Sequence, residues 1–299
     1  MKIAERLGAG SPCFSFEFFP PNTEKGVESL FRTVVDLGPL EPDFVSVTYP
    51  GSAQVMPDPE VLRKRRLTLE LTRRIRAESG IEAMAHLTCS GHTRDELCDI
   101  LDQLAAEGAT NVLALRGDPP GGSGGAFVAV AGGFSHGVEL VRLVRERGYD
   151  FCVGAACYPE THSEAPDAGV DLAHLVAKVD AGVDFLVTQL FFDNAHYFRF
   201  VDRARAAGIR VPIVPGLMPV TSAGTVARMP GFGASIPDDL RARLDACGDD
   251  AEAILAVGVA HTTEQAVGLL AGGAPGVHFY TLNTSRATRA IVSSLREQM

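Results

Sequence analysis

Tryptophan is absent from this chain, and cysteine is scarce. The 299 residues include no Trp and only six Cys, and no two of these cysteines form a Cys-x-x-Cys pair. Most of them lie within apolar runs, where a free cysteine behaves as a small core residue. The pattern speaks against a disulfide framework and against a structural zinc site, and it favours a reduced, cytosolic protein that binds no metal.

The sequence also lacks an excess of positive charge. Its formal net charge is -10, which disfavours a nucleic-acid or anionic-membrane surface. The basic run 63–66 falls in a helical stretch and is read as a solvated face. No apolar run approaches the length of a membrane span, and no signal-peptide core follows the first residues. No linker divides residues 1–299, so a single domain without a long C-terminal extension is expected.

Several familiar motifs are missing. There is no Gly-x-Gly-x-x-Gly after the first strand, no P-loop ending in Gly-Lys-Ser/Thr, and no Gly-x-Ser-x-Gly. These absences disfavour an open dinucleotide-binding sheet and a serine hydrolase. The Gly-rich stretch 119–134 is weak as a phosphate motif, and the sequence leaves open whether it is a lid or a plain insertion.

What is present is a repeated junction. A helical pattern ends, a glycine follows, and an apolar run begins, as expected where a helix closes in the left-handed conformation and a strand starts. Six such junctions place the helix-closing glycine at Gly80, Gly108, Gly148, Gly182, Gly208 and Gly273.

Together with apolar runs at 13–19 and 43–49, these junctions predict eight strands. The runs are continuous rather than alternating, as in a parallel sheet buried on both faces. Eight strand–helix units predict a (β/α)8 TIM barrel, and an open doubly wound sheet is the main rival. Residues 221–273 hold more helix than one unit needs, so extra helices are expected before the last strand.

The first strand carries a carboxylate in an apolar run, Phe14 to Pro21. Alternation places Ser15, Glu17 and Phe19 on one face. Burying Glu17 is costly unless it is paired, protonated or used in chemistry. A rim glutamate held by a nearby Arg or Lys is the plain alternative.

Other polar residues follow the remaining strands. Because the chemistry of such barrels gathers at the carboxyl ends of the strands, these side chains predict a ligand site suited to acid–base work on a polar heterocycle. They are Thr48, Tyr49, His86, Thr88, Arg116, Asp118, Tyr158, Glu160, His162, Gln189, Asp193, His278, Tyr280 and Asn283.

Eight segments in order between residues 14 and 283 together resemble the 5,10-methylenetetrahydrofolate reductase family. They begin with Phe-Ser-Phe-Glu-Phe-Phe-Pro-Pro at 14–21 and include Arg-Gly-Asp at 116–118 and Thr-Gln-Leu-Phe-Phe at 188–192. The resemblance implies a barrel that binds FAD, takes a hydride from NAD(P)H, with NADH favoured, and reduces methylenetetrahydrofolate to 5-methyltetrahydrofolate for methionine synthesis.

The resemblance also implies roles for particular residues. Glu17 matches the general acid that helps open the folate ring, a role that burial suits because it favours the protonated carboxyl. Asp118 matches a carboxylate beside flavin and pterin, and Gln189 matches a residue that binds substrate or nicotinamide. The implied FAD contacts are Thr48, Tyr49, His86, Arg116, Gly117, Asp118, Tyr158, His162, Asp171 and Lys178.

The implied folate contacts are Glu17, Gln189, Thr225, Tyr280 and Thr284. Thr225 and Met229 stand where the well-known bacterial form has Gln and Phe, and Thr284 stands where an Arg is frequent. Val183 replaces a common Ala beside the Lys178 helix.

Three other functions remain open at this stage. The first is a flavin-free reductase in which NADH reduces the same folate directly. The second is a non-catalytic barrel that binds folate or flavin. The third is a metal-dependent barrel enzyme using His86, His162 and His278, although no His-x-His stands on a strand. Oligomeric state is also open, a homo-oligomer being one option.

Overall fold

The computed structural model describes residues 1–51, 58–118 and 127–298. In these ranges nine parallel strands form one sheet in the order β7-β6-β5-β4-β3-β2-β1-β9-β8. The strands are β1 Cys13–Phe18, β2 Phe44–Val47, β3 Glu82–Thr88, β4 Asn111–Leu115, β5 Cys152–Cys157, β6 Phe185–Thr188, β7 Ile213–Val214, β8 Gly216–Leu217 and β9 Gly276–Tyr280.

Eleven α-helices lie between or beside these strands in the same ranges. They are α1 Ile3–Leu7, α2 Glu24–Leu37, α3 Pro59–Ser79, α4 Arg94–Ala106, α5 Gly137–Glu146, α6 Ala168–Asp180, α7 Asn194–Ala206, α8 Ala223–Arg228, α9 Asp238–Asp245, α10 Ala251–Ala271 and α11 Arg286–Gln298. Strand, helix and parallel strand alternate around the sheet, which confirms the predicted TIM barrel. Three α-helices, α8, α9 and α10, lie between β8 and β9, two more than one unit needs, so the extra helices expected before the last strand are confirmed.

The predicted seventh strand is split at Pro215. β7 pairs with β6, and β8 pairs with β9, so the two short pieces close the sheet into a nearly complete barrel. Proline has no N–H to donate to a ladder, which explains the break. Its carbonyl still accepts a hydrogen bond from the backbone N–H of His278 at 2.9 Å.

The glycine junctions are confirmed by the backbone. All six predicted helix-closing glycines have φ between 71° and 113°. This left-handed region costs glycine little, whereas other residues are strained there. Helix α7 is capped by Asp193, whose side chain accepts from the backbone N–H of Ala195 at 2.8 Å. Asn194 instead donates to the carbonyl of Gln265.

Two apolar layers surround the strands. The outward side chains of β1, Phe14, Phe16 and Phe18, are buried in the layer between the sheet and the helices. The barrel interior is filled by large inward side chains, including Phe44 and Phe185. The alternation read from the sequence is therefore confirmed for β1.

Helix α1 closes the amino-terminal end of the barrel. Ile3 and Leu7 pack with the interior layer. The backbone N–H of Ile3 donates to Asn111 Oδ1 at 2.8 Å, at the start of β4. The amino-terminal end of the barrel is thus closed by a helix with apolar side chains, and the acid–base candidates predicted from the sequence follow the strands toward the other end.

Helix α10 corrects one expectation from the sequence. By length and composition alone its 21 residues could cross a membrane, although no apolar run was expected to approach that length. About a third of its most apolar stretch is buried, and one such helix is weak evidence for a membrane span because core helices of soluble proteins have the same length and composition. It packs against α7, α9, α11 and β9.

Close packing of α10 on the segment after β8 predicts the effect of a Gly258→Ala substitution. A Cβ at residue 258 would lie 1.9 Å from the carbonyl oxygen of Val220. We expect the substitution to lower the free energy of unfolding by about 1–3 kcal/mol, although alanine favours helices, because the helix must move away. Chemical denaturation measures the change.

Gly224→Ala in α8 is the matched control. Its added Cβ would meet only Ser222 Oγ at an ordinary 3.7 Å. We expect its unfolding free energy to equal or slightly exceed that of the wild type. If the Gly258→Ala protein were as stable as the wild type, the close approach to Val220 would not be what requires glycine at residue 258.

Candidate active site

Glu17 lies on the inward face of β1 near the carboxyl end of the barrel. Its Oε2 is 3.5 Å from His86 Nε2 on β3 and 3.6 Å from His278 Nε2 on β9. The Glu17 side chain is 19% exposed, whereas both imidazoles are buried. We call these three residues the acid–histidine cluster. We call the open carboxyl end of the barrel the mouth. A carboxyl group that is partly exposed at the mouth is thus held between two imidazole rings.

The ring of His278 is fixed by two serines and a phenylalanine. Ser15 Oγ lies 2.8 Å from its Nδ1, and Ser46 Oγ lies 3.4 Å from its Nε2. The ring also stacks on Phe44 with a centroid distance of 5.9 Å. Because both nitrogens have neighbours, the imidazole is oriented toward the Glu17 carboxyl.

His86 is in a different environment from His278. Its Nε2 is buried and has no hydrogen-bond partner in the structure. Burial lowers the pKa of His86 to about 4, although the nearby Glu17 carboxylate opposes this shift. His86 is therefore a neutral ring at pH 7, with one nitrogen whose hydrogen-bonding capacity is unused.

Tyr280 on β9 links this strand to the end of β6 through a hydrogen bond. It pairs with Glu17 in the β1–β9 ladder, and its hydroxyl donates to the carbonyl of Thr188 at 2.7 Å. Burial raises the pKa of Tyr280 well above its usual range, with a further rise from the Glu17 charge. The Thr188 side chain accepts from the backbone N–H of Gly216 at 2.9 Å. Tyr280 is therefore a neutral phenol whose proton is already engaged.

The segment after β4 carries a strong ion pair. The guanidinium of Arg116 contacts both carboxylate oxygens of Glu164, each at 2.6 Å. Hydrogen bonding to Glu164 raises the pKa of Arg116. Gly117 has φ of 89°, and a Cβ there would meet Ser90 Cβ at 2.7 Å. Asp118 follows with an exposed carboxylate, so this rim presents charged groups of both signs.

A small cleft lies beside α6. It has about 30 Å³ of free space and is lined in part by Tyr158, Asp171 and Lys178. Lys178 Nζ donates to the carbonyl of Ala156 at 3.1 Å, and burial lowers the pKa of this lysine. Asp171 accepts from the backbone N–H of His162 at 3.0 Å, which holds the loop after β5 against the helix.

The ring of Tyr158, which lines this cleft, also contacts the ring of His162. Tyr158 and His162 meet edge to face at a centroid distance of 4.6 Å. Burial raises the pKa of Tyr158 and lowers the pKa of His162. The structure therefore brings together four residues that the sequence predicted as cofactor contacts: Tyr158, His162, Asp171 and Lys178.

Other predicted site residues have their polar groups engaged within the protein. The hydroxyl of Tyr49 lies 3.0 Å from His92 Nε2, and the Thr48 carbonyl accepts from Thr68 at 2.7 Å. Gln189 Oε1 accepts from the backbone N–H of Leu190 at 2.9 Å.

The two threonines predicted to contact substrate differ in exposure. Thr225 is buried at 1% exposure, with its hydroxyl 3.1 Å from Ser222 Oγ. Thr284 is exposed, and its hydroxyl donates to the carbonyl of Thr281 at 3.0 Å. Neither hydroxyl joins the acid–histidine cluster.

Three residues of the site were not singled out for these roles from the sequence. Ser15 and Ser46 flank the His278 ring, and Glu164 pairs with Arg116. Alternation along β1 already put Ser15 on the face of Glu17, so that signal was available. Nothing in the sequence indicated Glu164 as the partner of Arg116.

In the ranges that the structure describes, no group of three or more His, Cys, Asp or Glu could hold a metal ion.

The fold and this mouth define a class of protein. An α/β barrel whose carboxyl end holds a partly exposed carboxyl group between buried imidazoles is the arrangement of an enzyme that moves protons.

Comparison with known proteins then gives the family. The sequence model described as Methylenetetrahydrofolate reductase matches residues 2–296. The chain is 37% identical over 282 residues to 5,10-methylenetetrahydrofolate reductase of Salmonella typhimurium, covering 94% of this chain and 90% of that protein. The chain belongs to the methylenetetrahydrofolate reductase family.

Longer relatives match as well. The chain is 38% identical over 310 residues to Methylenetetrahydrofolate reductase (NADH) 1 of Arabidopsis thaliana, covering 99% of this chain and 51% of that protein. It thus spans about half the length of the plant relatives. A Clostridium thermocellum protein described as binding two copies of 5-methyl-5,6,7,8-tetrahydrofolic acid has a TM-score of 0.66 at 16% identity, over the whole of both chains. That similarity shows the shared fold.

The buried histidines predict how stability depends on pH. Burial lowers the pKa of both His86 and His92 from 6.5 to about 4. The unfolded chain therefore binds more protons in this window, so stability falls as the pH drops from 6.5 to 4. Each histidine contributes a slope of at most about 1.4 kcal/mol per pH unit.

Substitution by glutamine separates this effect from general acid sensitivity. We expect His86→Gln and His92→Gln each to flatten the plot of unfolding free energy against pH between 6.5 and 4, and the double variant to flatten it further. Urea denaturation across this pH range measures the slopes. An unchanged slope in the double variant would contradict burial of neutral rings.

Proposed function

We propose that the chain reduces 5,10-methylenetetrahydrofolate to 5-methyltetrahydrofolate with NADH through bound FAD, and that the product feeds methionine synthesis. The observation that carries this proposal is the acid–histidine cluster at the open end of the barrel. Membership of the reductase family supplies the reaction class, and the names of the plant relatives support NADH as the reductant.

The residues at the mouth fit a flavin nucleotide. Two buried polar atoms on the inward side of β3, His86 Nε2 and Thr88 Oγ1, have no hydrogen-bond partner in the structure. Lys178, His162 and Arg116 supply positive or hydrogen-bonding groups suited to a diphosphate. When bound, FAD would supply the acceptor and donor of the hydride.

The ion pair of Arg116 bears on how this nucleotide is held. Both carboxylate oxygens of Glu164 contact the guanidinium in this structure. Lys178 instead uses one of its three possible hydrogen bonds, on the Ala156 carbonyl. Lys178 is therefore the cation more readily available to a phosphate, and Arg116 would exchange or share its carboxylate partner.

Glu17 is proposed as the proton donor to the folate ring. Its carboxyl group is partly exposed at the mouth, and among the described residues no Lys or Arg nitrogen lies within 4 Å of it. No fixed cation therefore forms an ion pair with this group. Donation to a ring nitrogen would open the five-membered ring and give the iminium that accepts the hydride.

Asp118 and Gln189 are proposed to bind around that iminium. Asp118 presents an exposed carboxylate after β4, and a negative charge there would stabilise a cationic substrate. Gln189 follows β6 and is partly exposed. Its amide N–H groups are available to a carbonyl of the pterin or of the nicotinamide, since Oε1 is used by Leu190.

The visible absorption of the purified protein tests the cofactor. We expect a flavin band that bleaches when NADH is added without oxygen and returns when methylenetetrahydrofolate follows, because the flavin carries the hydride between them. Anaerobic titration in a spectrophotometer measures both steps.

Three other outcomes separate the competing functions. A colourless protein that oxidises NADH only when the folate is present would favour direct hydride transfer. A protein that stays colourless and inactive after reconstitution with FAD would contradict a reductase. A band that bleaches but never returns with the folate would contradict the assigned substrate.

Replacement of Glu17 by Gln tests the acid. We expect Glu17→Gln to slow folate reduction by about 10²–10⁴-fold, because the amide cannot donate the proton, while NADH still bleaches the flavin at a similar rate. Stopped-flow measurement of the two half-reactions distinguishes these effects.

Glu24→Gln is the matched control for this substitution. Glu24 is exposed in the first turn of α2 and is not a member of the acid–histidine cluster. Both half-reactions should match the wild type in that variant. Full folate turnover by the Glu17→Gln protein would remove Glu17 from the mechanism.

A further inference from the structure

Arg65 on α3 is a buried cation with no part in the proposed mechanism. It is 4% exposed, whereas its neighbour Arg66 is exposed. The interpretation of the basic run 63–66 as a solvated face is therefore wrong for Arg65. Burying a guanidinium is costly unless its N–H groups find acceptors, so the contacts that hold it at this depth indicate what it does.

The guanidinium of Arg65 is bound by backbone carbonyls of two loops. Its Nε donates to Pro50 at 3.2 Å, in the loop after β2, and its Nη2 donates to Ser90 at 2.8 Å, in the loop after β3. Nη1 donates to Gly91 at 3.4 Å, and the group lies 5.5 Å from the centroid of the Tyr49 ring. One side chain thus holds together two neighbouring loops at the carboxyl end of the barrel.

The loop after β3 packs against the segment that carries Asp118. The backbone N–H of Ser90 donates to the carbonyl of Arg116 at 2.9 Å. A Cβ added at Gly117 would lie only 2.7 Å from Ser90 Cβ. The absence of a side chain at Gly117 therefore lets this loop touch the backbone directly before Asp118.

The loop after β2 contacts the same segment. Gly51 directly follows Pro50, and a Cβ added at Gly51 would lie 3.4 Å from the backbone nitrogen of Asp118. The same Cβ would lie 3.3 Å from Ser90 Oγ. Both loops that Arg65 holds are therefore in contact with the backbone from which the Asp118 carboxylate extends.

We propose that Arg65 is a positioning residue for Asp118, because it fixes the loops after β2 and β3 and these loops set the place of the Asp118 carboxylate. The inference rests on the proposed function, in which that carboxylate stabilises the cationic iminium of the folate. Arg65 is buried and bonded to backbone carbonyls, so it acts through Asp118 and not on the ligand itself.

Arg65→Lys tests this role, because it keeps the buried charge and loses the planar fork that spans both loops. We expect the folate to reoxidise the reduced flavin about 10–100-fold more slowly at saturating FAD, since a small displacement of a charged group is costly to a reaction. NADH should reduce the flavin at close to the wild-type rate. Stopped-flow absorbance measures both half-reactions, and wild-type rates in both would overturn the proposal.

Arg66→Lys is the matched control, because it makes the same exchange one residue away at an exposed position of α3. Both of its half-reactions should match those of the wild type. Equal slowing of the folate step in Arg66→Lys and Arg65→Lys would assign the effect to the helix in general and overturn the role of Arg65.

Arg65→Gln is the second variant, because it buries no charge and keeps two N–H donors. If the Arg65→Lys chain does not fold, Arg65→Gln carries the same expectation of a slower folate step and an unchanged NADH step. A wild-type folate step in that protein would likewise contradict the proposal.

Combination with Asp118→Asn distinguishes positioning from general support of the fold. If Arg65 acts through Asp118, Arg65→Lys should slow the folate step by no more than about twofold in the Asp118→Asn protein, because the carboxylate that it positions is already lost. An undiminished effect of Arg65→Lys in that protein would show that Arg65 does not act through Asp118.

A measurement without turnover keeps this inference separate from the proposed function. Hydrogen–deuterium exchange of the purified full chain should be faster at residues 48–51, 89–92 and 116–118 in Arg65→Lys than in the wild type or in Arg66→Lys, because the loops are no longer held together. A wild-type protein that shows this difference but reduces no folate would refute only the reductase. A wild-type protein that reduces the folate, with unchanged exchange in Arg65→Lys, would refute only the positioning role.

Discussion

Placing one carboxyl group inside an apolar barrel is the constraint on which the site depends. Glu17 alternates with phenylalanines that must face the helices, so its own side chain must face inward. Burying a carboxyl group is costly unless neighbours satisfy it. In this barrel Glu17 lies near the mouth, beside two imidazole rings and the Tyr280 phenol, and among the described residues no Lys or Arg nitrogen lies within 4 Å of its carboxyl group.

The two histidines beside Glu17 are in different environments because their contacts with residues other than Glu17 differ. His278 is oriented by Ser15, Ser46 and the ring of Phe44, so its position is set by packing deep in the barrel. His86 has no such partner at Nε2 and remains neutral. The carboxyl group thus faces one ring that is fixed and one that retains hydrogen-bonding capacity. A site of this kind can adjust to a bound ligand without rebuilding its strands.

Much of the fold could be predicted from local signals. Each helix-closing glycine marks a backbone conformation that few other residues adopt, so the alternation of helices and strands could be predicted. The placement of Glu17 and of the phenylalanines on opposite faces of β1 followed from alternation. Helix α1 was missed because five residues carry too little periodicity, and the break at Pro215 was missed because the apolar run continues across it.

The site was predictable only in part. Strand-end positions identified Tyr158 and His162, the family resemblance added Asp171 and Lys178, and the structure gathers these four residues. The pairing of Arg116 with Glu164 depends on where two loops meet, which no local pattern encodes. The engagement of the Thr225 and Thr284 hydroxyls likewise depends on turn geometry. These side-chain pairings depend on tertiary contacts and turn geometry rather than on the secondary-structure propensity of each residue.

The break at Pro215 has a consequence for how the barrel accommodates change. The barrel is closed by two strands of two residues each, β7 and β8. After β8 the chain continues into the inserted helices. A barrel joined by so short a ladder can accept variation in the following segment without altering the register of its other strands. The stretch between β8 and β9 is therefore the part of this architecture whose length and side chains can change while the other strands keep their register.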